Sequence, residues 1–216
     1  MALDYYHGHG SPYSWRVWLA LEFKGVPYNL KILSFSDGDT TKPEFVAINP
    51  RHTVPTIVDD GYALWESMAI LEYLDERFPN AAKLYPGDAS ARARIRRLIQ
   101  EAAFYVHAEC IDKIVDELFW KEKGVEPDMA KIAQWRDKLR GELEYFAREL
   151  RGKYIAGDAL CAADFVLYPS LAYCWRINVR RPDAGLADVI PPALADYKKR
   201  IEALPYYDKT FPTHWR

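Results

Sequence analysis

The chain has 216 residues, half of them hydrophobic and 14% aromatic, a composition that excludes a disordered class and provides one or two compact units with a real core. Its 29 basic and 31 acidic side chains are interspersed and leave a net charge of only -2, so neither nucleic acid nor an anionic membrane is an expected partner. Apolar runs stay short of the roughly 18 residues of a membrane span, and the segment around Asp4 reads as a strand rather than a targeting leader, so a soluble cytoplasmic protein is expected.

In chain order, Leu3-Asp4-Tyr5-Tyr6 is a short strand that runs through His7-Gly8-His9-Gly10 into Ser11-Pro12 and an apolar helix pattern ending at Lys24. Ser11 is placed to cap that helix through its oxygen, and Pro12 to take the first helical position, where a missing N–H costs nothing. The same helix mouth suits an anion: a thiolate or carboxylate there meets free N–H groups, the positive end of the dipole and a hydroxyl. Gly25-Val26-Pro27 breaks the helix, and Tyr28, Leu30 and Ile32 then alternate with polar neighbours as in a half-buried strand. Residues 34–41 are polar and turn-rich, residues 43–48 fit a short helix, and Asp60-Gly61 between Thr56-Ile57-Val58 and Ala63-Leu64-Trp65 signals a tight hairpin. From Ser67, the positions Ile70, Leu71, Leu74 and Phe78 keep helical spacing until Pro79.

Beyond this α/β unit, assigned to residues 1–80, and a linker at 81–88, the pattern becomes all-helical over 89–216. Residues 91–120 form a long helix without proline or glycine. A second follows over 132–150, a third after Asp158 with Pro169 as a kink, and a last one over 194–204. Cys110, Cys161 and Cys174 are odd in number and widely spaced, which suits a reducing compartment. The five histidines lack metal-ligand spacing, and no metal is expected.

An α/β unit joined to a helical one, with Ser11-Pro12-Tyr13 and Arg16, then Asn49-Pro50 and Val54-Pro55, then Glu66-Ser67 and Asp164 in this order, resembles a cytosolic glutathione transferase of the serine type, tau-, phi-, zeta- or theta-like. The resemblance implies a thioredoxin-like first unit with Pro55 cis, glutathione as co-substrate, a small hydrophobic electrophile as second substrate, a homodimer and a detoxifying role. It implies further that Val54 holds the cysteinyl part of glutathione through its main chain. The Ser67 hydroxyl would receive the γ-glutamyl carboxylate, and Glu66 would pair with the amino group. Read as residues alone, Ser67 caps the helix it opens, Glu66 favours its positive end, and Val54-Pro55 is an ordinary strand entrance. Where relatives carry Gln or Lys before the Val-Pro step this chain has Thr53, too short for an ionic contact to the glycyl carboxylate. His52 is the preferred substitute, with Arg51 and Lys42 as alternatives.

Glutathione's thiol, near 8.5 by analogy with free cysteine, needs its pKa lowered to act at neutral pH. Ser11 is the expected hydroxyl donor to the sulfur, with Tyr6 and Ser14 behind it. The first 109 residues contain no cysteine, which disfavours thiol–disulfide exchange by the protein itself and leaves attack of a thiolate on carbon as the expected reaction. Tyr13 and His107 are the candidates for the hydrophobic substrate site. A non-catalytic glutathione or ligand carrier is the alternative function, and a glutathione-dependent lyase or isomerase a third. In the helical unit Cys161 stands where relatives place Ser or Thr, three residues before Asp164, and cysteine caps poorly.

Overall fold

The structure is a computed structural model and describes residues 3–215. It divides into two units, residues 3–86 with 205–215, and residues 87–204.

The first unit is a thioredoxin-like four-stranded mixed sheet in the order β2-β1-β3-β4. Strand β1 (Leu3–Gly8) alternates as its sequence does, with Leu3, Tyr5 and His7 buried and Asp4 and Tyr6 half-buried. It pairs in parallel with β2 (Tyr28–Leu33), Tyr5 opposite Leu30, and antiparallel with β3 (Thr56–Asp59), Tyr5 opposite Ile57. A crossover helix is needed between two parallel neighbours, and α1 (Pro12–Lys24) supplies it. Ser11 is its N-cap, Pro12 its first residue, and Gly25 closes it with a φ of 63°. Strands β3 and β4 (Tyr62–Trp65) are joined by Asp60 and Gly61, both left-handed at φ 48° and 83°, the two-residue turn expected of Asp-Gly. A short helix α2 (Pro43–Val46) precedes β3, and α3 (Ser67–Arg77) follows β4. The Val54-Pro55 peptide bond is cis.

Residues 205–215, expected in the helical unit, instead belong to the first one. The cause is Trp15: it is fully buried, its indole N–H donates to Thr210 Oγ1 at 3.0 Å, and its ring packs against Tyr207, Phe211 and Trp215 at centroid distances of 6.1, 5.7 and 5.7 Å. Thr210 and Tyr207 lie on the short helix α9 (Tyr207–Thr210). An aromatic of that size needs cover to leave water, and residues 207–215 supply part of it.

In the second unit the long helix predicted for 91–120 runs as α4 (Ala89–Glu101), a π-helical stretch (Ala102–Asp112) and α5 (Lys113–Phe119), with Asp88 capping its start through Ala91 N–H at 2.9 Å. The other helices are α6 (Met129–Glu149), α7 (Ala162–Arg180) and α8 (Pro192–Glu202). Helix α7 passes through Pro169 as a single element. At its start the weak cysteine cap is compensated by Asp164, whose carboxylate accepts from the backbone N–H of Ile155 and of Cys161, both at 2.9 Å, and from the Cys161 thiol at 3.3 Å. The reciprocal capping box therefore forms in spite of the substitution. Burial pushes the Asp164 carboxyl up to about 6 against these three bonds.

Candidate functional site

A cleft of about 190 Å³ in the first unit is lined by Tyr13, Thr53, Val54, Pro55, Glu66 and Ser67, so five of the six residues expected to hold glutathione meet there together with Tyr13. His52, exposed and left-handed at φ 58°, does not line it, and neither does Ser11, half-buried at the adjoining helix mouth. Lys42 is exposed and occupied by an ion pair with Asp39.

The loop forming one wall is organised by Asn49, a fully buried amide that donates to Thr53 O at 2.8 Å and to Thr56 Oγ1 at 2.9 Å, while its oxygen accepts from Arg51 N–H at 2.9 Å. Hydrogen bonds of this one side chain to Arg51, Thr53 and Thr56 fix the course of the chain into Thr53-Val54. The opposite wall is the start of α3. Here the structure corrects the expected cap: Glu66, not Ser67, is the N-cap residue, at φ 70° and ψ 108°, and its side chain makes no capping bond. Ser67 is the first helical residue, its Oγ 3.5 Å from Arg16 Nη1. Helix α3 thus begins without a side-chain acceptor for its first-turn N–H groups, next to a buried guanidinium, and both features favour an anion. A left-handed non-glycine residue costs roughly 1–3 kcal/mol and persists where the surroundings hold it, here at the rim of the cleft.

Arg16, noted in the sequence only as part of a motif, is 1% exposed and lies 4.5 Å over the Tyr13 ring. It places a positive charge beside Ser67, and its i, i+3 spacing from Tyr13 was the available signal.

Around the mouth of α1 the three hydroxyl candidates separate cleanly. Tyr6 leaves β1 on the face opposite Tyr5 and packs against Phe45 of α2 at 5.6 Å, away from the face that α1 covers. Ser14 is fully buried, its Oγ facing Gly8 N at 3.5 Å. Ser11 Oγ accepts from Ser14 N–H at 3.2 Å. As the acceptor of that bond, the Ser11 hydroxyl keeps its own proton for donation.

His107, expected against the hydrophobic substrate, is instead fully buried in the helical unit. Its Nδ1 lies 2.9 Å from Ser170 Oγ on α7 and its Nε2 3.4 Å from Asp112 Oδ1. The π-helical stretch that carries it turns this position inward, where a polar ring needs partners of this kind. The cysteines are buried too, and burial lifts the thiols of Cys110 to about 11 and Cys174 to about 12, so neither forms a thiolate near neutral pH. Among the described residues no cluster of metal-ligating side chains occurs, and no helix is long and apolar enough to cross a membrane.

Family models for the N-terminal and C-terminal domains of glutathione S-transferase match residues 10–77 and 100–205. The chain belongs to the glutathione S-transferase family. This transferase superimposes on a glutathione S-transferase from the Antarctic clam Laternula elliptica with a TM-score of 0.84 at 28% identity, over 100% of this chain and 94% of that one. A delta-class glutathione transferase from Nilaparvata lugens matches with a TM-score of 0.81 at 25% identity, over 99% and 95% of the two chains. Poplar glutathione transferase F1 gives 0.81 at 26% identity, over 97% and 96%.

Proposed function

We propose that this glutathione S-transferase binds glutathione in the cleft bounded by Thr53-Val54-Pro55 and Glu66-Ser67, with its sulfur at the mouth of α1. Ser11 then activates the thiol for attack on an electrophilic carbon of a small hydrophobic substrate. The uncapped start of α3, the Ser67 hydroxyl and the adjacent Arg16 charge receive the γ-glutamyl carboxylate. Exposed Glu66 pairs with the neighbouring amino group, and the Val54 main chain holds the cysteinyl part as an added strand. Tyr13 stands where the electrophile arrives, and His52 at the glycyl end.

The observation that carries this reading is the Ser11 hydroxyl, whose oxygen accepts from Ser14 N–H and whose proton is therefore free to donate to sulfur. A hydrogen bond to a charged group contributes about 1.5–3 kcal/mol, or about one to two units of thiol pKa. The thiolate adds to the carbon and expels a halide, or leaves a carbanion that takes a proton from water. The protein works as a cytoplasmic homodimer in detoxification.

The test is an ultraviolet titration of the bound glutathione thiolate in wild type and in Ser11→Ala. The variant's thiol pKa is expected to rise by about one unit or more and kcat to fall by about tenfold at neutral pH. An unchanged thiol pKa removes Ser11 from the role, and a wild-type protein that binds no glutathione removes the cleft.

A further inference from the structure

Ser14 lies beneath Ser11 with all its polar groups engaged. Its N–H donates to Ser11 Oγ at 3.2 Å, its Oγ faces Gly8 N at 3.5 Å, and its carbonyl accepts from the Tyr5 hydroxyl at 2.6 Å. Gly8 in turn accepts from Ser11 N–H at 3.1 Å, so the turn from β1 to α1 is closed from both ends. Tyr5 is fully buried on β1, and its hydroxyl reaches this turn from within the sheet. Because the Tyr5 proton goes to the Ser14 carbonyl, the Tyr5 oxygen accepts from His7 Nδ1, 3.0 Å away. That assigns the proton of neutral His7 to Nδ1 and extends the chain of bonds along the strand.

We propose that Tyr5 is a positioning residue for the thiol-activating serine: its bond to the Ser14 carbonyl fixes where Ser14 N–H points, and Ser14 N–H fixes which way the Ser11 hydroxyl donates. The proposal rests on the assignment of Ser11 to the glutathione sulfur given above. A hydroxyl aimed by a rigid N–H loses little rotational freedom when it meets the thiolate, whereas a loosely held one must first be ordered. The groups packed around Tyr5 do not blur this role. Trp18 and Tyr28 meet its ring edge-on at 6.4 and 6.0 Å, and its own hydroxyl is held well above the usual phenol range by burial. His7 stays neutral down to about 3, pushed there by burial and then by neighbouring His9, so neither group titrates where a bound thiol does.

The experiment compares four full-length proteins, wild type, Ser11→Ala, Tyr5→Phe and Thr210→Val, by the thiolate titration of bound glutathione, kcat, KM and thermal melting. Thr210→Val removes the bond to Trp15 on the far side of α1 and serves as a control for general loosening of the helix. Tyr5→Phe is expected to raise the bound thiol pKa by about half a unit and lower kcat about threefold near neutral pH with KM for glutathione unchanged, while Thr210→Val melts earlier with its thiol pKa at the wild-type value. If Tyr5→Phe titrates as wild type while Ser11→Ala is shifted, the proposal is overturned and the serine assignment stands. An equal shift in Thr210→Val also overturns it, because loosening alone would then suffice. If Ser11→Ala itself leaves the thiol unmoved, the serine assignment fails and takes this proposal with it.

Discussion

His7 offers a sharp test of the electrostatics under the site. It is 1% exposed, it meets the Trp18 ring edge-on at 4.6 Å, and its ring Nδ1 lies 3.0 Å from the Tyr5 hydroxyl. Its Nε2 is buried without a partner, so a proton added there would be desolvated and unpaired. Burial and the neighbouring His9 accordingly lower its pKa from 6.5 to about 3. Because the folded value lies below the unfolded one, the unfolded chain binds the proton more tightly. The stability contributed by neutral His7 is complete above about pH 6.5 and is lost as pH falls toward about 3. Linkage over that window gives about 3 kcal/mol lost by pH 4 relative to pH 7, out of a total of roughly 5–15. His7→Phe keeps an aromatic ring against Trp18 and removes the titration, at the cost of the Tyr5 bond, about 1 kcal/mol. Urea unfolding at matched protein concentration between about pH 7 and pH 4 is then expected to show wild type losing about 3 kcal/mol more than the variant, so that the two curves cross. Parallel loss in both proteins would show that His7 is not held neutral and that its environment has been misread.

Three other outcomes follow from the same geometry. Asp164→Ala leaves the buried N–H groups of Ile155 and Cys161 without their acceptor, and is expected to cost about 3 kcal/mol or more in denaturant unfolding, against under 1 for a surface aspartate. Glu66→Gly relieves a φ of 70° and removes the carboxylate proposed to pair with the glutathione amino group, so calorimetry is expected to show a stability change within about 1 kcal/mol beside a roughly tenfold weaker glutathione Kd. The buried thiols of Cys110, Cys161 and Cys174 are expected to react with a disulfide reagent only as the protein unfolds, in a single phase at the unfolding rate; reaction of any one in the native protein would contradict their burial.

Much of the site was legible because its parts are local. Ser11-Pro12 declares a helix start, Asp60-Gly61 a two-residue turn, and Glu66-Ser67 a second helix start, each through chemistry completed within four residues. The misses came where a longer-range partner decides. Ser67 reads as a cap until Glu66 is seen to take the left-handed backbone at the end of β4, which shifts the helix start by one position. His107 was expected at the hydrophobic substrate site, but it is buried with its ring against Ser170, 63 positions later in the chain. Asn49 was only part of a motif because its side-chain bonds depend on how residues 49–56 fold back on themselves.

The sequence by itself determined the α/β unit, the helical unit, the starts of the helices at Ser11-Pro12 and Glu66-Ser67 and the lack of a protein thiol in the first 109 residues, because periodicity, caps and turns act over a few residues. Only the tertiary structure decided where the hydroxyls of Tyr6, Ser11 and Ser14 stand. With β1 paired between β2 and β3 and α1 over one of its faces, Tyr5 and Tyr6 part to opposite sides, Ser14 sinks beneath the turn, and Ser11 remains at its mouth. The return of residues 205–215 to cover Trp15 was likewise unreadable, since burying one indole against a segment some 195 positions away is a choice made by packing, not by local preference.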